Sequence, residues 1–343
     1  MSREWTPKEN FMAAVMGEIP QSVPYYNMGM PFPNGGEPTR SIAPDLFHDA
    51  HHGPQGGKDI WGVTYVANAE TGYASLPEPN NFILDDITRW RDVIKAPEMP
   101  DVDWEQMAKA DYEKAKIDRN VSAVLSSPGF GPFQTLVAFM GFTETLCALY
   151  EEPEECKALL EYLSDFYQPI VEKTLDYYKP DVLYLADDTA SKYAPFFSPE
   201  IYKDIFKPIY KRMADAAINR GIPIGFHDCG KCEAFIPDMV DFGVRYWDPA
   251  QTENDLDRIK KEYQGRLAIV GGWEVHMFTD WTKLSKEELA DSIRKTIDRY
   301  APGGGYIFVG GLLGQAGDTY VTEMQKFIRA TVFEYGDHYY EKH

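Results

Sequence analysis

His227, Cys229, Cys232 and Glu233 fall within seven positions, in the stretch GFHDCGKCEAF that follows the apolar run GIPIGF. His227 and Cys229 alternate along an extended segment, so both side chains can point to the same side. Neutral imidazole and thiolate are good zinc ligands, and a zinc-bound thiol is deprotonated outright. A structural zinc needs four ligands, and no second Cys/His pair is present. A catalytic zinc needs three and keeps one position open. Three readings stand: a catalytic metal site, a metal-free catalytic His or Cys, and a strand end that carries sulfur by chance. Cys232 and Glu233 are close in sequence but enter the next helix. Asp187, Asp188 and Glu274 come from other strand ends and could converge. An acid is expected ahead of Cys232, with Glu274 completing a set of His227, Cys229 and Glu274. His227 and Asp188 are the candidate catalytic pair.

Other groups invite chemistry less directly. Asp187 or Asp188 in LADD could cap a following segment or pair with a base. His48, His51 and His52 resemble a metal cluster by composition alone, and read as a solvated loop. The glycines of VGGW and VGGLLG can serve tight turns, or leave room for a bulky ligand at side-chain-free strand ends. There is no P-loop, no G-x-S-x-G and no glycine-rich dinucleotide turn after an early strand.

These groups need elements to hold them. From about residue 115 strand-like and helix-like segments alternate: NVSAVLSSPG, DVLYLADD, IPIGFHDCG, VRYWDPAQ, RLAIVGGW and GYIFVGG each precede a helical stretch. Helices are expected over about 134–149, about 153–178, and after Ser198 as N-cap with Pro199 at the first position and Gly221 at the stop. Pro208 is placed to kink that last helix. Others begin near Glu233, at NDLDRIKKEY, at the capping box Ser285–Glu288 and near Thr319. Near-continuous apolar strands between helices imply a parallel sheet covered on both faces. SVPYYNMG (22–29) and DIWGVTYV (59–66) can supply two more strands. The fold class expected is α/β: one (β/α)8 TIM barrel over residues 1–343, with the Pro- and Gly-rich residues 30–115 as excursions over its mouth. Chemistry in such barrels sits at the carboxyl ends of the strands, where the acids, histidine, thiols and glycines gather.

Composition bounds the function. With 54 acids against 34 bases the formal charge is −20, and no clustered basic surface suits a phosphate backbone. Neutral ligands, cations or a protein partner fit better than polyanions. No apolar stretch approaches the ~18 residues of a membrane span, and the N-terminus has no signal-peptide pattern. Four cysteines in 343 residues are too few for a disulfide scaffold, so a cytoplasmic protein is expected.

With LADDTASKYAPFFSPEIYKDIFKPIYKRMADAAINRGIPIGFHDCG in view, the chain resembles the uroporphyrinogen decarboxylase superfamily. The likeness extends to GEIPQSVPYYN, DIWGVTY, GPFQTLVAFMGFTETL and the final glycine-rich strand. It implies a (β/α)8 barrel. Decarboxylases of that superfamily grip a polycarboxylate tetrapyrrole with an arginine-rich N-terminal segment, whereas Arg3 and Arg40 here are isolated. Its other branch contains zinc-dependent, corrinoid-linked methyltransferases with a His-x-Cys motif, matched by His227 and Cys229, and a later Cys. That Cys would fall near Gly311, and no Cys follows position 232. The series HDCGKCEAF, WDPAQTENDL and LAIVGGW is most similar to methyltransferases that demethylate methoxylated aromatics such as veratrole. The resemblance therefore implies methyl transfer from an aryl methyl ether to the Co(I) corrinoid of a separate protein, with zinc or a general acid at the ether oxygen. Gly272, Gly310 and Gly311 would leave room for the corrinoid, and Tyr25, Tyr65, Phe130 and Trp273 would wall the aromatic ring. A homodimer is a family-level expectation. Alternatives are a methylcorrinoid:thiol methyltransferase, a decarboxylase using His227 and Asp188 without metal, and a non-catalytic corrinoid-binding protein.

Overall fold

The structure, a computed structural model, describes residues 3–47, 55–68, 74–273, 275, 283–310 and 319–343. Its strands are β1 (Thr39–Ser41), β2 (Gly56–Lys58), β3 (Thr64–Val66), β4 (Leu76–Pro77), β5 (Ala123–Ser126), β6 (Val182–Ala186), β7 (Ile224–His227), β8 (Val244–Ala250), β9 (Ala268–Gly271) and β10 (Tyr306–Ile307). Seven form one parallel sheet in the order β1-β5-β6-β7-β8-β9-β10. The curl is carried on by the segment after Ser22. Tyr26 donates its N–H to the Phe308 carbonyl at 2.7 Å, and Phe308 returns one to Pro24 at 2.9 Å. On the opposite edge, the Asn27 side chain bonds both the N–H and the carbonyl of Thr39. The expected α/β barrel fold is what the chain adopts.

One expected strand lies elsewhere. Thr64–Val66, from DIWGVTYV, pairs antiparallel with β2 and β4 in a separate three-stranded ribbon. Its place in the barrel sheet is taken by the three residues of β1, too short and polar to stand out by pattern. The helix expected over about 134–149 is two helices, Pro132–Met140 and Phe142–Glu151, parted at Gly141 with φ +85°. An added Cβ there would meet the Phe82 ring at 2.6 Å. Ser198 caps through Ile201, and the turn ahead of Pro208 widens to a π-helix over Tyr202–Phe206 before the helix resumes at Lys207. A proline without an N–H is a known cause of that disturbance.

Strand alternation divides the core. Leu125, Val182, Tyr246, Ala268 and Val270 turn into the barrel, where the first helix, Pro7–Met16, contributes Phe11, Ala14 and Val15. Leu183, Leu185, Phe226, Trp247 and Ile269 turn outward onto the helices. The period of two therefore puts Tyr184, His227 and Asp248 on the inner face, His227 level with Asp248 and Tyr184 two residues below, level with Gly225. No helix among the described residues is long and apolar enough to cross a membrane.

Candidate metal and substrate site

His227 ends β7, and the register places it directly beside Asp248 of β8. Its Nδ1 lies 2.8 Å from Asp248 Oδ1, while Nε2 points to the mouth, 3.4 Å from Cys229 Sγ and 3.6 Å from Asp188 Oδ1. Asp188, just past β6, is held by a 2.9 Å hydrogen bond from Gln134 Nε2 and by the Cys229 N–H. Ligand atoms of Asp188, His227 and Cys229 all lie within 4.8 Å of one another.

The neighbouring acid has a different task. Asp187 is buried and accepts from the N–H groups of Phe133 and Gln134 and from the Tyr210 hydroxyl, at 2.7, 2.9 and 2.6 Å. It thus caps the helix Pro132–Met140, which precedes it in sequence. Burial raises its pKa to about 6, against the pull of those hydrogen bonds. Asp228 points away too, bonded to the backbone and hydroxyl of Thr189.

Nitrogen, sulfur and carboxylate oxygen from three protein groups, with space beyond them, suit a catalytic divalent metal such as zinc. The carboxylate on the far nitrogen of the imidazole is the usual support for a metal-bound histidine. Burial works to lower the His227 pKa, but Asp248 and Cys229 outweigh it and hold it well above the usual range. Burial pushes the Cys229 thiol up despite His227 pulling it down, so without a metal it is not a ready nucleophile.

The third ligand candidate that converges is Asp188. Cys232 is fully buried, its thiol 3.6 Å from the Asp228 carbonyl. Glu233 turns to the Asp255 N–H and Arg258. Glu274 and Gly311 lie outside the described residues, as do His48, His51 and His52.

The three groups open onto a cavity of about 580 Å³ whose walls include Trp273, Val275, Val309, Ala190 and Met28. Lys192 is the one lysine or arginine on its described lining, 3.6 Å from Glu253. Trp273 is therefore the predicted ring at this cavity. Tyr65 instead lines a separate space of about 320 Å³ under the ribbon, with Trp61 and Tyr167. Phe130 is buried in a stack on Tyr167, and the Tyr25 hydroxyl donates to the Gly310 carbonyl. Gly272 borders the large cavity, but an added Cβ would meet the Tyr300 ring at 2.7 Å. At Gly310 it would meet Phe308 at 2.8 Å and Trp273 at 3.2 Å. Both glycines therefore make room for the protein's own rings.

Asp248, Tyr184 and Gln134 were not anticipated. Two signals could have found the first two. WDPAQ ends a strand beside the histidine strand, and Tyr184 precedes Asp188 by four residues on one face of LYLADD.

The family model for uroporphyrinogen decarboxylase (URO-D) matches residues 104–331, well over half of the chain. The chain belongs to the uroporphyrinogen decarboxylase family. Among solved structures, this family member is similar in fold to a methyltransferase from Methanosarcina mazei, with a TM-score of 0.61 at 14% identity over 97% of this chain and 99% of that one. It also aligns with Old Yellow Enzyme from Pichia sp. AKU4542 at 9% identity over 68% and 66% of the two chains, but a TM-score of 0.36 carries no argument. No curated protein matches the sequence.

Proposed function

We propose that this uroporphyrinogen decarboxylase family member is a methyltransferase, the demethylating component of a corrinoid-dependent pair. It would take a methyl group from a methoxylated aromatic compound and pass it to the Co(I) corrinoid of a separate corrinoid protein. The observation that carries the reading is the convergence of Asp188, His227 and Cys229 at the edge of a cavity walled mainly by apolar groups. The methyltransferase of similar fold supports it.

Phenolate is a poor leaving group, so the ether oxygen must be stabilised as it gains charge. Bound by Asp188, His227 and Cys229, zinc would supply a Lewis acid for that oxygen. The protein's own groups orient the substrate and exclude water. Trp273 offers an aromatic wall, and Val275, Val309 and Ala190 give the ring a dry environment. In a metal-free variant of the same chemistry, His227 would act as the general acid.

Two observations disfavour the alternatives. A polycarboxylate substrate would need several cationic groups, and the described lining offers Lys192 and His227 beside the acids Asp188, Asp248 and Glu253. Thiol activation is best served by electron-rich sulfur ligands, whereas the third group here is a carboxylate.

The test begins with metal content. Wild type should hold about one zinc per chain, lost in His227→Ala, Cys229→Ala and Asp188→Ala. Zinc-loaded protein should then demethylate a methoxylated aromatic when given a reduced corrinoid protein. Carefully prepared wild type that holds no metal and gains no activity with added zinc would sink the zinc mechanism. Loss of carbon dioxide from an aromatic acid under those conditions would favour the decarboxylase.

A further inference from the structure

We infer that Tyr184 and Asp248 are a positioning pair that fixes His227 in its Nδ1–H tautomer and keeps Nε2 available to a metal; this rests on the metal reading above. The Tyr184 hydroxyl lies 2.9 and 3.0 Å from the two Asp248 oxygens and 3.2 Å from His227 Nδ1. One hydroxyl proton thus faces three atoms able to accept it. Asp248 Oδ1 is itself only 2.8 Å from Nδ1. Were Nδ1 unprotonated, a carboxylate oxygen and a ring lone pair would face each other at that distance, and the single Tyr184 proton could satisfy one of them. Asp248 is 2% exposed, so bulk water cannot make up the deficit. All three groups are satisfied when Nδ1–H donates to Asp248 and Tyr184 donates to the same carboxylate. Nε2, the nitrogen facing Cys229 and Asp188, is then the one that gives its lone pair to a metal when the metal displaces its proton.

The pair is seated from below. The Tyr184 ring stacks on Tyr246, with centroids 6.2 Å apart and planes at 18°. Tyr246 lies across Gly225, where an added Cβ would come within 2.2 Å of its ring. Gly225 is two residues before His227 on β7, so the strand that carries the ligand also clears the slot for the ring that backs its support.

The experiment is zinc affinity by chelator competition, with absorption spectra of the Co²⁺-loaded protein, for wild type, Tyr184→Phe and Asp248→Asn. Tyr184→Phe should bind zinc about tenfold more weakly, and Asp248→Asn ten- to a hundredfold. Both should alter the Co²⁺ bands, and metal-free Tyr184→Phe should also show a lower urea midpoint, since buried Asp248 loses a donor. A structural role alone would move the midpoint and leave affinity and spectrum alone, which would overturn the inference. So would wild-type affinity in both variants. Wild type that binds no metal would overturn the metal reading and the pair with it, so the two failures are distinguishable.

Discussion

The backbone N–H of Cys229 donates to Asp188 Oδ1 at 3.1 Å, joining two residues forty-one positions apart. Gln134 holds the other carboxylate oxygen at 2.9 Å. Asp188 is thereby oriented toward His227 before any metal arrives, which lowers the ordering cost of binding.

Replacing Asp188 by Ala should weaken zinc binding at least tenfold, measured by metal retained after dialysis against a weak chelator. Glu233→Gln is the comparison, since Glu233 serves Asp255 and Arg258, and it should retain metal like wild type. Equal retention in all three proteins would remove Asp188 from the ligand set.

Asp187 should show the opposite profile, large in stability and small in chemistry. Asp187→Ala strands the Phe133 and Gln134 N–H groups and the buried Tyr210 hydroxyl. At roughly 1–3 kcal/mol for each unsatisfied group, less the relief of a buried charge, the net cost at pH 7 is about 3 kcal/mol. The folded-state pKa of about 6 stands above the free value of 3.8, so the wild-type carboxyl adds stability as pH falls through 6. The variant should therefore lag by about 1 kcal/mol more at pH 5 than at pH 7 in urea unfolding. A pH-independent difference would show that Asp187 does not titrate in that window.

Gly272 separates two uses of a glycine. With φ +70° and Tyr300 in the path of any Cβ, Gly272→Ala should cost about 2 kcal/mol with no ligand present. Thermal unfolding of the ligand-free protein checks this. An unchanged melting temperature would return Gly272 to the role of leaving ligand space.

Lys260 is a stability liability remote from the site. Burial lowers its pKa from 10.5 to about 8, although its Nζ donates to the Gly304 carbonyl. Between those values the unfolded chain holds the proton and the folded one does not, so wild-type stability from this group rises with pH. Lys260→Met should gain about 1 kcal/mol at pH 7 after losing the hydrogen bond, and the gain should vanish by about pH 9 and turn into a loss by pH 10.5. A gain that persists unchanged at high pH would trace the effect to packing instead.

The sequence by itself determined the barrel. Apolar strands with period two, caps at Ser198 and Ser285, and acids and His227 at strand ends are local patterns that dictate local structure. It also determined that His227 and Cys229 share one side, because that follows from alternation along a single segment. The tertiary structure decided the third group. Asp187 and Asp188 are adjacent and chemically alike, yet alternation sends one to the helix Pro132–Met140 and the other to His227. Which goes where depends on the register of β6 against β7, a long-range quantity that no local pattern encodes. The same holds for Asp248 and Tyr184. Their meeting with His227 needs three strands aligned to the residue, and only the assembled parallel sheet supplies that alignment.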